Sequence, residues 1–359
     1  MNLAADVLAT AAANPDKVAL VVMGRTGAER WSFGRLAEAV HGMAGALADR
    51  APPGARVLLR LGNGPRFPVA FLGAAAAGLV PVPSATALTG PEITALARRV
   101  NPALILADPA VALPDHPAAV LRDLDAMMAA PPMAPVLGDP ERPGYIVFTS
   151  GSGGVPRAVV HAHRAIRARR AMWDGWYGLT PNDRVCHAGA FNWTFTLGTG
   201  LMDPWAAGAT ALVPGPDVPV SALPLLLKRF EATIFAAVPG VFRKLLASDL
   251  PHLPRLRHGL TAGERLPAAL RTDWRAATGA DIHEALGMSE CSTFISGSPD
   301  RPAPEGRAGY VQPGRRVAVL DEAGGVVAPG SIGRLAVHRS EPGLMLGYLQ
   351  EDGSARLPL

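Results

Sequence analysis

The sequence is poor in the features that mark disulfide-rich, secreted and membrane-spanning proteins. Only two of its 359 residues are cysteines, Cys186 and Cys291, and they lie far apart and outside any C-x-x-C spacing. This scarcity fits a reducing compartment and supplies no metal site. The N-terminus lacks a basic segment followed by an apolar core, so we expect no signal peptide, and apolar runs such as residues 71–82 are too short to span a bilayer. Together these absences predict a cytoplasmic protein.

An excess of charge of one sign is also lacking. The formal net charge is +4, which gives no reason to expect a nucleic acid as a partner. We interpret the basic residues Arg164, Arg167, Arg169 and Arg170 as a solvated helix face that can also attract a polyanionic cofactor. Hydrophobic residues make up 49% of the chain and charged residues 18%, which predicts a globular protein with a sizeable core.

Several well-known catalytic and phosphate-binding motifs are missing as well. A Walker loop that begins at Gly151 would need glycine at position 156 and lysine at position 157, where the chain has Pro156 and Arg157. The dinucleotide-binding fingerprint fails at the same proline. No Gly-x-Ser-x-Gly elbow occurs in an obvious strand-to-helix setting, and His161 and His163 have no carboxylate or cysteine partner at ligand spacing. We therefore expect neither a nucleophile elbow nor a histidine metal site.

What the chain does contain is a stretch of hydroxyls and glycines after an apolar segment. Residues 145–148 predict a buried strand. The loop that follows consists of Thr149, Ser150, Gly151, Ser152, Gly153 and Gly154, and it is closed by Pro156 and Arg157. Such a loop can turn backbone N–H groups and hydroxyls onto phosphate oxygens, while the arginine neutralises charge. On composition alone, a phosphate-binding loop and a plain Gly/Ser turn between two strands are equally well supported.

The rest of the sequence alternates strand and helix patterns, which predicts an α/β fold of layered subdomains with largely parallel sheets. Strands are predicted at residues 18–23, 56–61, 80–83, 103–107, 185–187, 209–213, 233–236 and 257–260. Helices are predicted to begin after a cap at Ser32, at Pro65, at Pro91 and after a cap at Ser221. Residues 109–143 predict a surface connection with one short helix. Short strands and turns after Gly306 predict a small C-terminal β subdomain, so we divide the chain into residues 1–305 and 306–359.

Further motifs follow the glycine loop in a set order. They are Thr-Ala-Gly-Glu-Arg-Leu at 261–266, Glu-Ala-Leu-Gly-Met-Ser-Glu at 284–290, Gly-Arg-Ala-Gly at 306–309, Gly-Ser-Ile-Gly-Arg-Leu at 330–335 and Gly-Leu-Met-Leu-Gly-Tyr at 343–348. Their order and spacing resemble the adenylate-forming superfamily of acyl-CoA synthetases, peptide-synthetase adenylation domains and luciferases. The resemblance covers nearly the whole chain, which corresponds to the large N-terminal domain of the family. Within the family, the sequence most resembles benzoate- and acetate-type CoA ligases.

The resemblance implies a two-step acid–thiol ligase. A carboxylic acid would attack the α-phosphorus of ATP to give an acyl-adenylate, and a thiol would then take the acyl group, with Mg2+ spreading the charge. Coenzyme A is the expected thiol. One alternative is an adenylation domain that loads a carrier protein, although residues 191–198 hold no acidic residue to grip an amino group. Another alternative is a non-catalytic module that binds nucleotide or acyl-adenylate, and a homodimer stays open.

The resemblance also implies roles for individual residues. Thr149 to Gly154 would hold the β- and γ-phosphates with Arg157 nearby, Ser289 would contact the α-phosphate, and Glu290 would hold Mg2+ through its carboxylate. The segments expected around the nucleotide consist of Gly263, Glu264 and Arg265 on one side and Glu284, Ala285, Leu286, Gly287 and Met288 on the other. Leu286 stands where the family usually has an aromatic residue, so apolar contact would replace stacking.

The acyl pocket is expected around Asn192, Trp193, Val238 and Gly240. Bulky Trp193 and Phe195 favour a small aromatic or short acyl acid over a long fatty chain. An aromatic cluster at this spacing is also compatible with ordinary core packing.

Two departures from the family pattern stand out. Gly153, Arg157 and Ala158 replace a threonine, a lysine and a glycine of the family's loop, and an arginine fork is not equivalent to a lysine. We expect weaker phosphate binding as a result. The chain also ends before the family's ribose-binding carboxylate, hinge and mobile C-terminal domain, so we expect residues 1–359 alone to be weakly active.

Overall fold

The computed structural model describes residues 1–149 and 156–358, and within them nineteen strands and eleven α-helices. The first ten strands are β1 Val18–Met23, β2 Ala28–Ser32, β3 Arg56–Arg60, β4 Val80–Pro83, β5 Leu104–Ala107, β6 Ala119–Leu121, β7 Pro143–Thr149, β8 Arg157–Ala162, β9 Arg184–His187 and β10 Thr210–Pro214. The others are β11 Ile234–Ala236, β12 His258–Ala262, β13 Asp281–Met288, β14 Ser292–Ser296, β15 Tyr310–Val311, β16 Val317–Leu320, β17 Arg334–Val337, β18 Gly347–Leu349 and β19 Ala355–Arg356.

The helices mostly occupy the intervals between these strands. They are α1 Leu3–Val7, α2 Phe33–Ala48, α3 Arg66–Ala76, α4 Gly90–Val100, α5 Leu124–Met128, α6 Ala165–Ala168, α7 Thr194–Leu197, α8 Asp203–Ala206, α9 Leu223–Arg229, α10 Pro239–Leu246 and α11 Ala268–Thr278. Single π-helical turns cover Trp173–Tyr177 and Gly198–Met202. Across the two described ranges, no helix is both long enough and apolar enough to cross a membrane.

The largest sheet has nine strands in the order β15-β14-β13-β12-β11-β9-β10-β1-β2. Its central pairs, from β13 through β12, β11, β9 and β10 to β1, are parallel, and antiparallel strands close both edges. A second sheet, β4-β3-β5-β6, is wholly parallel. The parallel strands are buried runs joined by helices, as crossover connections require. The predicted α/β class with largely parallel sheets is confirmed.

The remaining sheets are antiparallel. Strands β7 and β8 form a hairpin whose connection contains the glycine-rich segment, and β18 and β19 extend this sheet at the β8 edge. Strands β16 and β17 form a separate two-stranded sheet within the described part of the chain. The strands after residue 306 therefore enter three different sheets, and only β16 and β17 form one of their own. The division at residue 306 stays a prediction.

Local sequence signals predict some element boundaries correctly and miss others. Helix α2 begins after Ser32, whose side chain accepts a hydrogen bond from the Arg35 N–H and so satisfies one free donor of the first turn. Ser221 makes no such cap, because it lies inside a 3₁₀ turn that precedes α9. The predicted surface connection contains α5 but also the short strand β6, whose exposed residues carry no clear strand pattern.

A buried ion pair joins distant parts of the core. Arg169 is 4% exposed and Asp203 1% exposed, and the Arg169 Nε and Nη2 atoms donate to the Asp203 carboxylate over 2.9 and 2.6 Å. The Tyr177 hydroxyl also donates to Asp203, over 2.8 Å. Burial alone would lower the pKa of Arg169, but the charge of Asp203 raises it above its usual value. The interpretation of this arginine as part of a solvated face is wrong.

Buried histidines are a second feature of the interior. Burial lowers the pKa of His161, His163, His258 and His283 to about 4 and the pKa of His187 to about 3. These side chains are therefore neutral at pH 7. Both cysteines are buried too, and burial raises the pKa of each thiol to about 12, which leaves them unreactive.

We expect Asp203→Ala to destabilise the fold by about 3–5 kcal/mol, because the guanidinium of Arg169 would stay buried without its counter-charge. Urea denaturation measures this loss. The matched control is Asp115→Ala, which breaks the exposed Arg98–Asp115 pair and should cost less than about 1 kcal/mol. Equal losses for the two variants would contradict the role given to the buried pair.

We also expect the free energy of unfolding to fall as the pH drops from about 6.5 towards 4. The unfolded chain binds protons at its histidines near pH 6.5, whereas the folded chain holds these pKa values near 4, so protons favour unfolding within this window. Each histidine contributes up to about 1.4 kcal/mol per pH unit. Urea titrations at pH 7, 6 and 5 measure the slope, which His283→Gln should reduce and the exposed His252→Gln should not. A flat profile would contradict this prediction.

Candidate active site

One cavity gathers many of the residues predicted for nucleotide and acid binding. Its volume is about 380 Å3. It is lined by Phe148, Thr149, Trp193, Thr194, Phe195, Val238, Ala262, Gly263, Gly287, Met288, Ser289, Ser292 and Thr293. Three larger clefts among the described residues, of about 820, 1140 and 410 Å3, contain none of the predicted site residues. The predicted residues and the strand ends thus identify this cavity as the candidate site.

The cavity lies where several strands end. Strand β7 ends at Thr149, β12 ends at Ala262, β13 ends at Met288, and Val238 follows β11 by two residues. In parallel sheets, loops after the carboxyl ends of strands converge at one edge, where ligands usually bind. The fold therefore brings together seven predicted residues from distant segments of the chain: Thr149, Trp193, Val238, Gly263, Gly287, Met288 and Ser289.

The tight hairpin between β13 and β14 presents Ser289 to the cavity. Gly287 has no room for a side chain, because a Cβ there would lie 2.5 Å from the Ser292 carbonyl oxygen and 2.6 Å from the Thr293 Cα. Below the hairpin, the His161 Nε2–H donates to the Ser289 carbonyl over 2.7 Å. The ring of His161 stacks on Tyr145 at a centroid distance of 4.7 Å. The position of Ser289 thus depends on a histidine in β8.

Glu290 follows Ser289 at the edge of the cavity and is bonded by Tyr348 of the neighbouring sheet. The Tyr348 hydroxyl donates to Glu290 Oε1 over 2.7 Å, and the Arg157 guanidinium carbon lies 5.1 Å from the Tyr348 ring centroid. Burial and the bond to Glu290 raise the pKa of Tyr348, so the phenol stays protonated as a donor. The Met345 N–H donates to the Glu290 carbonyl over 2.7 Å. The predicted metal ligand and the predicted phosphate cation thus share one partner, Tyr348.

Ser292 links the cavity to the buried ion pair. Its hydroxyl lines the cavity and accepts a hydrogen bond of 2.5 Å from the Arg169 Nη1. The backbone of Ser292 is in the left-handed region, with φ of 63°, a conformation that residues other than glycine seldom adopt. Arg169 and Asp203 therefore hold the start of β14, directly after the turn that carries Ser289 and Glu290.

The segment predicted beside the adenine is only partly in the cavity. Gly263 lines it with φ of 93°, so a side chain at this position would strain the backbone. Glu284 instead supports the fold, since its Oε1 accepts from the Leu266 N–H over 3.1 Å. Four of the other residues predicted beside the nucleotide do not line the cavity: Glu264, Arg265, Ala285 and Leu286. Ala285 is buried and the other three are exposed.

The side of the cavity predicted for the acid is aromatic. Trp193, which is 54% exposed, Phe195 and Val238 line it. Asn192 and Gly240 flank this wall in sequence but do not line the cavity. The preceding loop is held by Asn63, whose side chain donates to the Gly189 carbonyl over 2.7 Å.

Part of the predicted phosphate loop cannot be placed. Ser150, Gly151, Ser152, Gly153 and Gly154 lie outside the described residues, so their phosphate contacts stay predictions. Within residues 1–149 and 156–358, no group of three or more His, Cys, Asp and Glu side chains gathers as a metal-binding cluster. A metal ion bound by Glu290 would thus need most of its ligands from outside these four residue types.

Several residues of the site were not assigned by sequence reasoning. Tyr348 ends a motif, but nothing local indicates its partner. The local pattern around His161 suggests at most a metal ligand, and that around Arg169 predicts a solvated helix face that can attract a polyanionic cofactor. Ser292 and Thr293 come two and three residues after Glu290, and this closeness to the motif is the sequence signal that could have assigned them to the site.

The comparisons with known proteins agree on a family. The family model described as "AMP-binding enzyme" matches residues 7–349. A 3-hydroxybenzoate–CoA ligase of Aromatoleum sp. (strain CIB) is 28% identical over 348 residues, which cover 90% of this chain and 66% of that protein. The chain spans about two thirds or less of the length of the curated relatives it matches.

Solved structures share the fold. A benzoate CoA ligase from Burkholderia xenovorans LB400 superposes with a TM-score of 0.84 at 25% identity, covering 98% of this chain and 74% of that chain. ATP-bound MatB from Rhodopseudomonas palustris superposes with a TM-score of 0.87 at 24% identity, covering 98% of this chain and 75% of that chain.

We expect His161→Phe to lower the stability of the fold by about 1–3 kcal/mol, because the buried Ser289 carbonyl would lose its donor while the stack on Tyr145 is kept. Urea denaturation measures the loss. The control is His252→Phe at an exposed histidine, which should change stability by less than about 0.5 kcal/mol. If both variants were as stable as the parent, His161 would not hold Ser289.

Proposed function

This chain belongs to the AMP-binding enzyme family, and on this premise we propose that it activates a carboxylic acid with ATP for transfer to coenzyme A. In the first step a carboxylate oxygen attacks the α-phosphorus, the bond from the α-phosphorus to the bridging oxygen breaks, and pyrophosphate leaves. In the second step the thiolate sulfur attacks the carbonyl carbon, and AMP leaves with the electron pair of the acyl C–O bond. The protein would then be an acyl- or aryl-CoA ligase.

The observation that carries the proposal is the convergence of two kinds of lining in one cavity. Thr149 and Ser289 bring hydroxyl-bearing side chains to its lining, and Trp193, Phe195 and Val238 bring apolar surface. A reaction between a phosphate ester and an organic acid needs this pairing, because each reactant must be held at close range and in line. The small volume and aromatic wall support a small aromatic or short acyl acid.

We assign the anionic groups of ATP to the polar part of the cavity. The Ser289 hydroxyl would donate to the α-phosphate, and Thr149 would contact the outer phosphates. Arg157, exposed at the start of β8, would neutralise charge that moves onto the leaving pyrophosphate. These roles place donors where negative charge grows during the reaction.

Glu290 fits a Mg2+ ion by its chemistry. Its carboxylate is half-buried and oriented by Tyr348, and Mg2+ prefers a few carboxylate oxygens together with substrate phosphates and water. Bound there, the ion would neutralise phosphate charge. The chain's own part is to hold that carboxylate in one position.

The adenine would lie beside Gly263 and the backbone of Gly287 and Met288, which line the cavity. Glu264, Arg265, Ala285 and Leu286 stay proposed as flanking residues, and Glu284 is proposed to shape the segment through its bond to Leu266. Asn192 and Gly240 stay proposed as neighbours of the acid.

Coenzyme A is the acceptor we propose, since the similar proteins from Aromatoleum sp. and Burkholderia xenovorans are CoA ligases. A carrier protein as acceptor, a homodimer and a cytoplasmic location stay predictions.

We expect the full-length protein to catalyse ATP–pyrophosphate exchange that depends on a carboxylic acid. Benzoates, short acyl acids and amino acids are tested in parallel with radiolabelled pyrophosphate. Glu290→Gln should lower the exchange rate by about 100-fold, because it removes a charged oxygen that supports the leaving phosphates. The exposed Glu322→Gln serves as the matched control and should leave the rate unchanged.

Binding of ATP without exchange in the presence of any acid would contradict the proposed ligase. It would favour a module that only binds nucleotide. Exchange that depends on amino acids alone would instead favour the carrier-protein alternative.

A further inference from the structure

The described lining of the candidate cavity carries no positive charge. None of its residues is an arginine, a lysine or a histidine. A carboxylic acid is an anion at pH 7, and a carboxylate that leaves water needs hydrogen-bond donors in place of its hydration. The side-chain donors of the cavity, and the charges that stand behind them, therefore decide how the acid is held.

One buried cation reaches this lining through a serine hydroxyl. Arg169 donates from Nε and Nη2 to the Asp203 carboxylate, and its Nη1 donates to the Ser292 Oγ over 2.5 Å. Ser292 lines the cavity, whereas Arg169 and Asp203 do not. In the described chain no charged side chain bonds the other hydroxyls of the lining, which belong to Thr149, Thr194, Ser289 and Thr293.

The bond from Arg169 determines what the Ser292 hydroxyl can offer a ligand. An oxygen that accepts from a guanidinium keeps its own proton for donation. Among the described residues, the acceptor within reach of that proton is the Met172 sulfur, 3.8 Å away, and a thioether is a weak acceptor. The guanidinium also polarises the O–H bond, which strengthens a bond donated in surroundings of low dielectric constant. Ser292 is therefore a strong donor at the cavity.

Ser292 lies next to the turn that carries the residue proposed for the α-phosphate. That residue, Ser289, comes three positions earlier, and Ser292 pairs in register with Met288 across the hairpin. The attacking carboxylate must lie beside the α-phosphorus in the first step, so a donor at this turn is well placed to hold it. The left-handed backbone of Ser292, with φ of 63°, is costly for a residue with a side chain, and such conformations are frequent at functional sites.

We propose that Ser292 hydrogen-bonds the carboxylate of the substrate acid, with the donor strength that its bond from Arg169 gives it. This inference rests on the proposed function, because it assigns the group that receives the acid in the same cavity. A hydrogen bond to an ionised acceptor is stronger than one between neutral groups. The arrangement thus holds an anion without placing a charged side chain in the cavity, so Trp193 and Phe195 can contact the apolar part of the acid.

The test measures KM for the acid and KM for ATP separately, in the full-length protein. ATP–pyrophosphate exchange is followed with the benzoates, short acyl acids and amino acids, and the acid that supports the fastest exchange is used for the variants. We expect Ser292→Ala to raise KM for that acid by at least about tenfold, because a hydrogen bond to a charged group is lost. KM for ATP should change by less than about twofold, since the nucleotide keeps its own contacts. For a variant too slow for kinetics, calorimetry gives the two dissociation constants instead.

Two further variants separate a contact with the acid from support of the fold. Ser292→Gly also removes the hydroxyl, but glycine adopts φ of 63° freely, so this variant should raise KM for the acid without added backbone strain. The matched control is Ser296→Ala on the same strand, because the Ser296 hydroxyl donates to the Gly175 carbonyl over 2.6 Å and does not line the cavity. The control should lower stability and leave KM for the acid unchanged.

An unchanged KM for the acid in Ser292→Ala and Ser292→Gly would overturn the role of Ser292 and leave the proposed function standing. Equal rises of KM for the acid and for ATP in both variants would also overturn it, because they would indicate that the whole hairpin had moved. If no acid supported exchange in the parent protein, the proposed function itself would fail.

Discussion

The Arg169–Asp203 ion pair is the interaction on which the geometry of the site most depends. It lies in the interior, where neither charge can be left without the other, and it joins the end of α6 to the start of α8. The same guanidinium reaches Ser292, which begins β14 next to the turn of the β13–β14 hairpin. Gly198 allows this approach, because a Cβ there would collide with the arginine. A core interaction therefore sets where the cavity's hairpin lies.

The residues that carry the proposed chemistry are each held by a different part of the fold. His161 from β8 holds the Ser289 carbonyl, Tyr348 from β18 holds the Glu290 carboxylate, and Arg169 holds Ser292. Such support limits the reorganisation that a reaction between two anions would otherwise require. The side proposed for the acid is different, because Trp193 and Phe195 offer apolar surface to the cavity.

Local patterns were sufficient for much of the fold. The strand of residues 18–23, the strand of residues 80–83 and the helix after Ser32 agree with the structure, because apolar runs and a capping hydroxyl act over a few residues. The same reasoning failed at Ser221 and at β6, where a short 3₁₀ turn and pairing with β5 decided the conformation. In the candidate site, Thr149, Ser289 and Trp193 do line one cavity, whereas Asn192 and Glu284 do not.

The amino-acid sequence by itself determined the order of strands and helices, the series of motifs, and the presence of hydroxyls, a carboxylate and an arginine near them. These properties depend on neighbours in the chain. Only the tertiary structure decided that Arg169 is buried and that Tyr348 meets Glu290 from 58 residues away. Burial and pairing depend on which distant segments pack together, and no local pattern carries that information.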